Sequence, residues 1–196
     1  AKLAKDKGIF FNDAPVSGGT KGAKEASLTI MFGGDEDDYE KVFPVLKCLG
    51  KNIIHVGKVG HGHALKALNN FLSATTLYAT SETFVLAKAI GFDLHKFVEV
   101  INKSSGQSYS SHYKFPNFIL PKTFDSGFSL ELMLKDVKTS VSISRSMGIP
   151  FLLGAVVEQL YECAHLMLNE NSDHTEIVKF VENICTKNKH FRESAV

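Results

Sequence analysis

Three short apolar runs, rich in β-branched and aromatic residues, stand out in the first sixty positions of the chain. They cover Ile9–Ala14, Ser27–Phe32 and Asn52–Val56, with glycines close to their ends. Runs of this length and composition are typical of β-strands. The pattern therefore predicts three strands in this part of the chain.

A helix is predicted between the second and third strands. It follows Gly33-Gly34 and opens with an acidic turn, and its apolar positions recur at helical spacing. These positions are Tyr39, Val42, Phe43 and Leu46. Because Pro44 falls inside the pattern, a kink or an early end is expected there.

From His63 onward the apolar spacing is helical, and no later segment shows strand alternation. The first helix should run from about His63 to Ile90, with Gly91 as its end, and should span about 42 Å at a rise of 1.5 Å per residue. Its apolar positions cover much of the circumference. Such a helix packs on several sides or against a partner chain.

The later helices are predicted from their ends as well as their spacing. They should begin at Asp93, cover Leu130–Met147 and about Leu152–Leu168, and begin again at a capping box over Asp173–Glu176. Ser104–Ser111 should be a polar loop, and the tail from Lys187 should fray. The predicted organisation is α+β, with a β-rich part over residues 1–60 and an all-helical part over residues 61–196.

Composition, charge and cysteine spacing argue against nucleic-acid-binding, membrane and disulfide-bonded proteins. The 196 residues are 44% hydrophobic and 22% charged, with a formal net charge of +1, which is typical of a globular protein and gives no electrostatic reason to bind nucleic acid. No apolar run approaches the roughly 20 residues that span a bilayer, so no membrane association is expected. Cys48, Cys163 and Cys185 are far apart and odd in number, so we expect reduced, buried thiols of an intracellular protein.

The segment Asp13–Gly19 is the first candidate site. It reads DAPVSGG and places a hydroxyl, Ser17, before two residues without side chains, Gly18 and Gly19. Successive backbone amides without Cβ atoms can form a concave site for a carboxylate, to which Ser17 would add a hydrogen bond. An ordinary Gly-Gly turn accounts for the same residues, and such turns are common.

The second candidate is the segment Gly60–Asn70, where strands give way to helices. Lys66 and Asn70 are four residues apart and share a helix face. We expect Lys66 in the first helical turn, where the macrodipole disfavours an ammonium ion and lowers the pKa of the amine. Such a lysine is a candidate general acid or base. A solvated lysine beside a capping asparagine accounts for the spacing equally well.

Three further motifs carry little weight alone. His61 and His63 have no neighbouring carboxylate or cysteine in sequence, so no metal is expected. The glycines of Gly18–Ala23 lack the spacing of a phosphate-binding loop. Lys135 and Asp136 are adjacent on a predicted helix, about 100° apart, so they should not face each other.

Together and in this order, these segments resemble the β-hydroxyacid dehydrogenase family, which includes the 3-hydroxyisobutyrate dehydrogenases. The family's substrate-binding signature is similar to DAPVSGGxxGAxxGxLTxMxGG, and this chain has DAPVSGGTKGAKEASLTIMFGG, with Ala26 in place of a glycine. The catalytic signature GxGxxxKxxxN and a later KD signature are also present. They match Gly60, Gly62, Lys66 and Asn70, and Lys135 and Asp136.

The resemblance implies a role for each site residue. Ser17, Gly18 and Gly19 would bind the substrate carboxylate, Lys66 would transfer the proton, and Asn70 would help to hold the substrate. Lys135 would reach the cofactor, NAD or NADP, while Asp136 and Phe128 would line the site. The substrate would be a small 3-hydroxyacid or its semialdehyde.

The resemblance also implies the fold: the last strands of a Rossmann-type NAD(P)-binding domain, followed by an all-α domain similar to that of 6-phosphogluconate dehydrogenase. The chain has no GxGxxG motif, so we expect a fragment that is inactive alone. A homodimer or homotetramer in the cytoplasm or mitochondrial matrix is expected. A non-catalytic oligomerisation or binding module remains the alternative, while a true 6-phosphogluconate dehydrogenase relative would need more basic residues near the site.

Overall fold

The computed structural model describes residues 1–186, so the predicted fraying of the tail from Lys187 lies outside the described residues. The chain divides into two compact units, one covering Ala1–Asn69 and one that begins at Asn70.

The first unit contains a three-stranded sheet with short helices between its strands. Its elements are α1 (Lys2–Lys5), β1 (Val16–Ser17), α2 (Gly19–Lys24), β2 (Leu28–Gly33), α3 (Glu36–Leu46) and β3 (Gly50–Gly57). The strand order is β1-β2-β3, with β1 antiparallel to β2 and β2 parallel to β3. Because α3 connects the two parallel strands, this unit contains a β-α-β crossover.

The predicted strand over Ile9–Ala14 was wrong. Only Asp13 makes a bridge there, to Gly33, and the paired strand begins at Val16. A strand needs a neighbour for its backbone groups, and Ile9, Phe10 and Phe11 are exposed. The other two predicted strands are confirmed as β2 and β3, and β2 is almost wholly buried.

Helix α3 is confirmed, with Pro44 inside it and an acidic first turn. His55 on β3 anchors its beginning. The Nδ1 of that ring lies 2.7 Å from Glu36 Oε2, and the Nε2 lies 2.7 Å from the carbonyl oxygen of Gly34. Both partners accept hydrogen bonds, and accordingly the pKa of His55 lies above its ordinary value, chiefly because of the Gly34 carbonyl.

The long helix is confirmed as α4 (His61–Ile90), which begins two residues before the predicted start. Gly91 follows it with a φ of +90°, a conformation that glycine adopts readily at helix ends. No helix in the described part of the chain is both long and apolar enough to cross a membrane.

The second unit is helical from Asn70 onward. After α4 it contains α5 (Leu94–Asn102), a π-helix (Ser110–Ile119), α6 (Leu130–Met147), α7 (Leu152–Met167), a 3₁₀ turn (His174–Glu176) and α8 (Ile177–Thr186). The predicted caps are confirmed. Asp93 accepts hydrogen bonds from the amides of His95 and Lys96, and Asp173 forms the capping box with Glu176.

The π-helix was not predicted, and it begins inside the expected polar loop Ser104–Ser111. Its backbone bonds join residues five apart, as between the amide of Leu120 and the carbonyl of Phe115 at 2.9 Å. Apolar positions at the 3.6-residue spacing of an α-helix do not indicate a π-helix. Pro116 lies within the π-helix.

The core of the second unit is built around large, fully buried side chains. Tyr161, Phe115 and Leu77 have no solvent exposure. Burial of a side chain such as Leu or Phe stabilises a fold by about 1.5–3 kcal/mol. The Tyr161 hydroxyl donates to the carbonyl of Ala74 at 3.0 Å, and burial raises the pKa of Tyr161.

All three cysteines are free thiols, as expected. The expectation that they are buried was wrong for Cys48 and Cys163, which are exposed, while Cys185 is half-buried.

Candidate functional site

The segment Asp13–Ser17 runs beside β2 and presents Ser17, Gly18 and Gly19 at its end. Backbone hydrogen bonds join Asp13 to Gly33 in both directions, and the amide of Met31 donates to the carbonyl of Pro15 at 3.0 Å. Ser17 is half-buried and both glycines are exposed. The predicted carboxylate-binding residues therefore lie at the end of a segment that is hydrogen-bonded to β2.

Glycine is required at both positions after Ser17. The φ angles are +129° at Gly18 and +61° at Gly19, conformations that residues with a Cβ rarely adopt. Gly19 begins α2, so the chain turns here into a short helix where only a turn was expected. Both glycines are exposed and follow directly after the Ser17 hydroxyl.

Lys66 lies on α4 and contacts the same segment. Its Nζ donates a hydrogen bond to the carbonyl oxygen of Val16 at 2.6 Å, directly before Ser17. The prediction that Lys66 lies in the first helical turn was wrong, because α4 begins at His61 and Lys66 is in the second turn. The macrodipole acts mainly within the first turn, so its effect at Lys66 is weaker than expected.

Asp13 begins the first candidate segment, but no role was predicted for it. Its buried carboxylate accepts hydrogen bonds from the amides of Gly60, at 2.5 Å, and His63, at 2.8 Å, and its Oδ2 lies 3.0 Å from the His63 ring Nδ1. Burial raises the pKa of Asp13, but these hydrogen bonds outweigh burial and hold the pKa below its ordinary value. No spacing in the sequence signals a contact between residues 47 positions apart.

Gly60 and Gly62 permit this contact. Gly60 has a φ of +94°, which favours glycine. A Cβ on Gly62 would collide with the carbonyl oxygen of Met31 and would lie 2.7 Å from an Asp13 oxygen. His63 is engaged with Asp13, and within residues 1–186 no group of three His, Cys, Asp or Glu side chains is placed to hold a metal ion.

In the second unit, Asn70, Asp136 and Lys135 form one polar group. Asn70 Nδ2 donates to Asp136 Oδ2 at 2.5 Å in a buried setting, and Lys135 Nζ lies 3.0 Å from Asp136 Oδ1. The expectation that Lys135 and Asp136 do not face each other was therefore wrong, because the long lysine side chain bends toward its neighbour. The Lys135 side chain is 64% exposed, so this ion pair adds little stability.

Phe128 lies just before α6 and is half-buried against the helical core. Its ring meets the edge of the His174 ring at a centroid distance of 5.5 Å. Lys135 borders an open groove of about 580 Å³ along α6 and α7, which His165 also lines. Thus Ser17, Gly18, Gly19 and Lys66 belong to the first unit, and the other four predicted site residues to the second.

Lys114 on the π-helix is a second buried charged residue without a sequence signal. It is 5% exposed, and its Nζ donates to Ser73 Oγ at 2.7 Å. Burial lowers the pKa of Lys114 to about 7, although Asp173 acts in the opposite direction. Ser110, four residues earlier, contacts the carbonyl of Ser73 and the hydroxyl of Thr76, so the π-helix is joined to α4 by several polar contacts.

Comparison with known families identifies both parts of the chain. Residues 60–181 match the family model described as NAD-binding of NADP-dependent 3-hydroxyisobutyrate dehydrogenase. Residues 1–57 match the NAD binding domain of 6-phosphogluconate dehydrogenase. The expected fold class, strands of an NAD(P)-binding domain followed by an all-helical domain, is confirmed.

Named relatives agree with these matches. The chain is 38% identical to 2-(hydroxymethyl)glutarate dehydrogenase of Eubacterium barkeri over 94% of its own length and 61% of the relative's. It is 32% identical to human mitochondrial 3-hydroxyisobutyrate dehydrogenase, over 92% of the chain and 56% of the relative. A structure of Mycobacterium tuberculosis 3-hydroxyisobutyrate dehydrogenase with L-serine has a TM-score of 0.85 at 32% identity and covers 92% of this chain and 64% of that one. The chain therefore spans less than two thirds of each of these proteins.

Proposed function

The chain belongs to the 3-hydroxyisobutyrate dehydrogenase family, and we propose that it carries the substrate-binding and proton-transfer residues of an NAD(P)-dependent 3-hydroxyacid dehydrogenase. One observation carries the proposal. Lys66 Nζ is 2.6 Å from the carbonyl oxygen of Val16, the residue before Ser17. A candidate proton donor thus lies beside the residues that the family motif assigns to carboxylate binding.

Each residue of the first unit has a separate task in the proposed reaction. The Ser17 hydroxyl and the amides of Gly18 and Gly19 bind the substrate carboxylate. Lys66 then lies near the carbon that bears the oxygen to be reduced or oxidised. During reduction its ammonium group donates a proton to the carbonyl oxygen, and during oxidation the neutral amine accepts the proton from the hydroxyl.

Asn70 and Asp136 have a supporting task. The hydrogen bond from Asn70 Nδ2 to Asp136 fixes which way the amide group points. A side chain whose rotamer is already fixed binds a substrate at a lower entropic cost. Asn70 follows Lys66 by four residues on α4, so both project from one helix face.

The cofactor of the family is NAD or NADP. When bound, the nicotinamide supplies or accepts the hydride. Within this chain the proposed cofactor contact is Lys135, whose exposed ammonium group on α6 suits an electronegative group of a dinucleotide. These 196 residues contain no GxGxxG motif, so we propose that residues 1–196 alone do not transfer hydride.

The proposed substrates are small 3-hydroxyacids that carry a substituent at carbon 2. The substrates in the names of two relatives, 3-hydroxyisobutyrate and 2-(hydroxymethyl)glutarate, both have this pattern of a carboxylate and a hydroxymethyl group on one carbon. The human relative is named as a mitochondrial enzyme. We therefore propose the cytoplasm or the mitochondrial matrix as the location of this protein.

A substrate screen tests this function. The complete protein would be assayed with 3-hydroxyisobutyrate, D-glycerate, 4-hydroxybutyrate and L-serine, each with NAD⁺ and NADP⁺. We expect oxidation of at least one 3-hydroxyacid and at least a tenfold lower kcat/KM for its methyl ester, because the ester lacks the charge that Ser17, Gly18 and Gly19 bind. Equal rates for acid and ester would contradict the assigned carboxylate site.

Oligomerisation is the second candidate role, and exposed apolar residues favour it. Helix α7 presents Leu152, Val156 and Leu166 to solvent on one face, with Leu152 82% and Leu166 84% exposed. Several exposed apolar side chains on one helix face are typical of an interaction surface. We propose that a second copy of the chain covers it in a homodimer or homotetramer, which is compatible with catalysis.

A further inference from the structure

Asp13 belongs to the Asp13–Gly19 segment, but the proposed reaction gives it no task. Its carboxylate is 5% exposed and is fully engaged. Oδ1 accepts from the amide of Gly60, while Oδ2 accepts from the amide of His63 and contacts the His63 ring. All these partners lie at the beginning of α4.

The beginning of α4 needs an acceptor from elsewhere in the chain. The first amides of a helix have no partner within the helix, and usually the residue before the helix supplies a side-chain oxygen. In α4 that residue is Gly60, which has no side chain. The oxygen comes instead from Asp13, 47 residues earlier, and its negative charge also matches the positive end of the helix.

The same segment contacts α4 a second time. Three residues after Asp13, the carbonyl of Val16 accepts the hydrogen bond from Lys66. Asp13 and Val16 thus contact α4 at its start and in its second turn, so one short segment of the chain is joined to the helix at two places.

We propose that Asp13 is a positioning residue that fixes the first two turns of α4 against the strand that ends at Ser17, and so holds Lys66 beside the carboxylate-binding glycines. The inference rests on the proposed function, since it assigns Asp13 a role through Lys66. Without the carboxylate, the amides of Gly60 and His63 lose their acceptor. The helix start then moves relative to Val16, and the Lys66 amine moves with it.

A double-mutant cycle in the complete protein tests this role. The proteins are the parent, Asp13→Asn, Lys66→Ala and the double variant. A carboxamide keeps one acceptor oxygen but replaces the other with a donor. We expect Asp13→Asn to lower kcat by about tenfold to a hundredfold, the usual effect of a displacement near 1 Å, but to lower it less than twofold when Lys66 is already alanine.

Asp35→Asn is the matched control, because Asp35 precedes α3 but makes no side-chain capping bond. Hydrogen exchange provides a readout that does not depend on activity. In Asp13→Asn the amides of residues 60–66 should exchange at least tenfold faster than in the parent, and Asp35→Asn should leave their exchange unchanged. If Asp13→Asn does not fold, Asp13→Ser, whose hydroxyl can still accept one amide, takes its place in the cycle.

The possible outcomes separate the two proposals. An equal loss of kcat in both backgrounds would show that Asp13 acts independently of Lys66, and would overturn the positioning role. Unchanged exchange of residues 60–66 would also overturn it. If Lys66→Ala itself retained the activity of the parent, the proposed function would fail, whatever Asp13 does.

Discussion

Three buried charged residues, Asp13, Lys114 and Asp173, differ in how completely their charge is compensated. Asp13 and Asp173 accept several hydrogen bonds each, which outweigh burial and hold the pKa of both carboxyls below the ordinary value. Lys114 has one hydroxyl partner at 2.7 Å, and burial lowers its pKa to about 7. A buried ammonium ion with one partner is costly, so Lys114 reduces stability when it is charged.

The stability of the protein should therefore depend on pH through Lys114. Its pKa is 10.5 in the unfolded chain and about 7 in the fold. Between these values the unfolded state binds more protons, so the free energy of unfolding rises as pH rises from 7 toward 10.5. Lys114→Met should remove this rise and increase the free energy of unfolding at pH 6 by about 1–4 kcal/mol.

Urea unfolding of both proteins at pH 6, 8 and 9.5 measures the effect of Lys114. Lys96→Met, which replaces an exposed lysine, is the matched control and should behave like the parent. A loss of stability in Lys114→Met at pH 6 would show that the buried ammonium ion is well compensated. It would contradict the prediction that charged Lys114 reduces stability. Asp173 and His174 are the other titratable groups that act on Lys114.

Among the helices and strands, the sequence predicts the features that are determined by residues close together in the chain. Helices with capping residues, such as α5 after Asp93 and α6 before Gly148, begin and end as expected. The first strand was predicted at the wrong residues and the π-helix was not predicted, because pairing partners and backbone register depend on residues distant in sequence. The sequence motifs indicate Lys66 as a candidate catalytic residue. The hydrogen bond between Lys66 and Val16, and the proposed role of Asp13, could be inferred only from the fold.

The junction of β2 and α4 should be intolerant of a larger residue at Gly62. A Cβ there would meet the carbonyl oxygen of Met31 and the carboxylate of Asp13. Both belong to ordered, hydrogen-bonded groups that cannot move aside easily. Gly62→Ala should lower the free energy of unfolding by about 1–3 kcal/mol, as is usual for overpacking.

Gly106→Ala is the comparison for this substitution, because a Cβ on Gly106 would have only ordinary contacts, at 3.7 Å and beyond. Thermal unfolding gives the melting temperature of each variant, and we expect Gly62→Ala to melt at a lower temperature than Gly106→Ala. Equal melting temperatures would mean that the approach of α4 to β2 is not as close as the structure has it.

At the scale of the whole molecule, the exposed apolar face of α7 should be covered in solution. We expect the mass of the protein from light scattering to correspond to two or four copies. Leu166→Glu should shift it toward one copy, since a charge would be buried in the interface. Leu3→Glu replaces a leucine that is 79% exposed on α1, outside this face, and should not change the mass. A monomeric parent protein would contradict the proposed assembly.

The turnover number of Lys66→Ala in the complete protein tests whether Lys66 transfers the proton. Lys51→Ala, at an exposed position on β3, is the control for loss of a lysine. With the best 3-hydroxyacid at saturation, Lys66→Ala should lower kcat by about two to four orders of magnitude, the usual effect of losing a positioned general acid. Lys51→Ala should retain the parent value. A loss below about threefold in Lys66→Ala would contradict its assignment as the residue that transfers the proton.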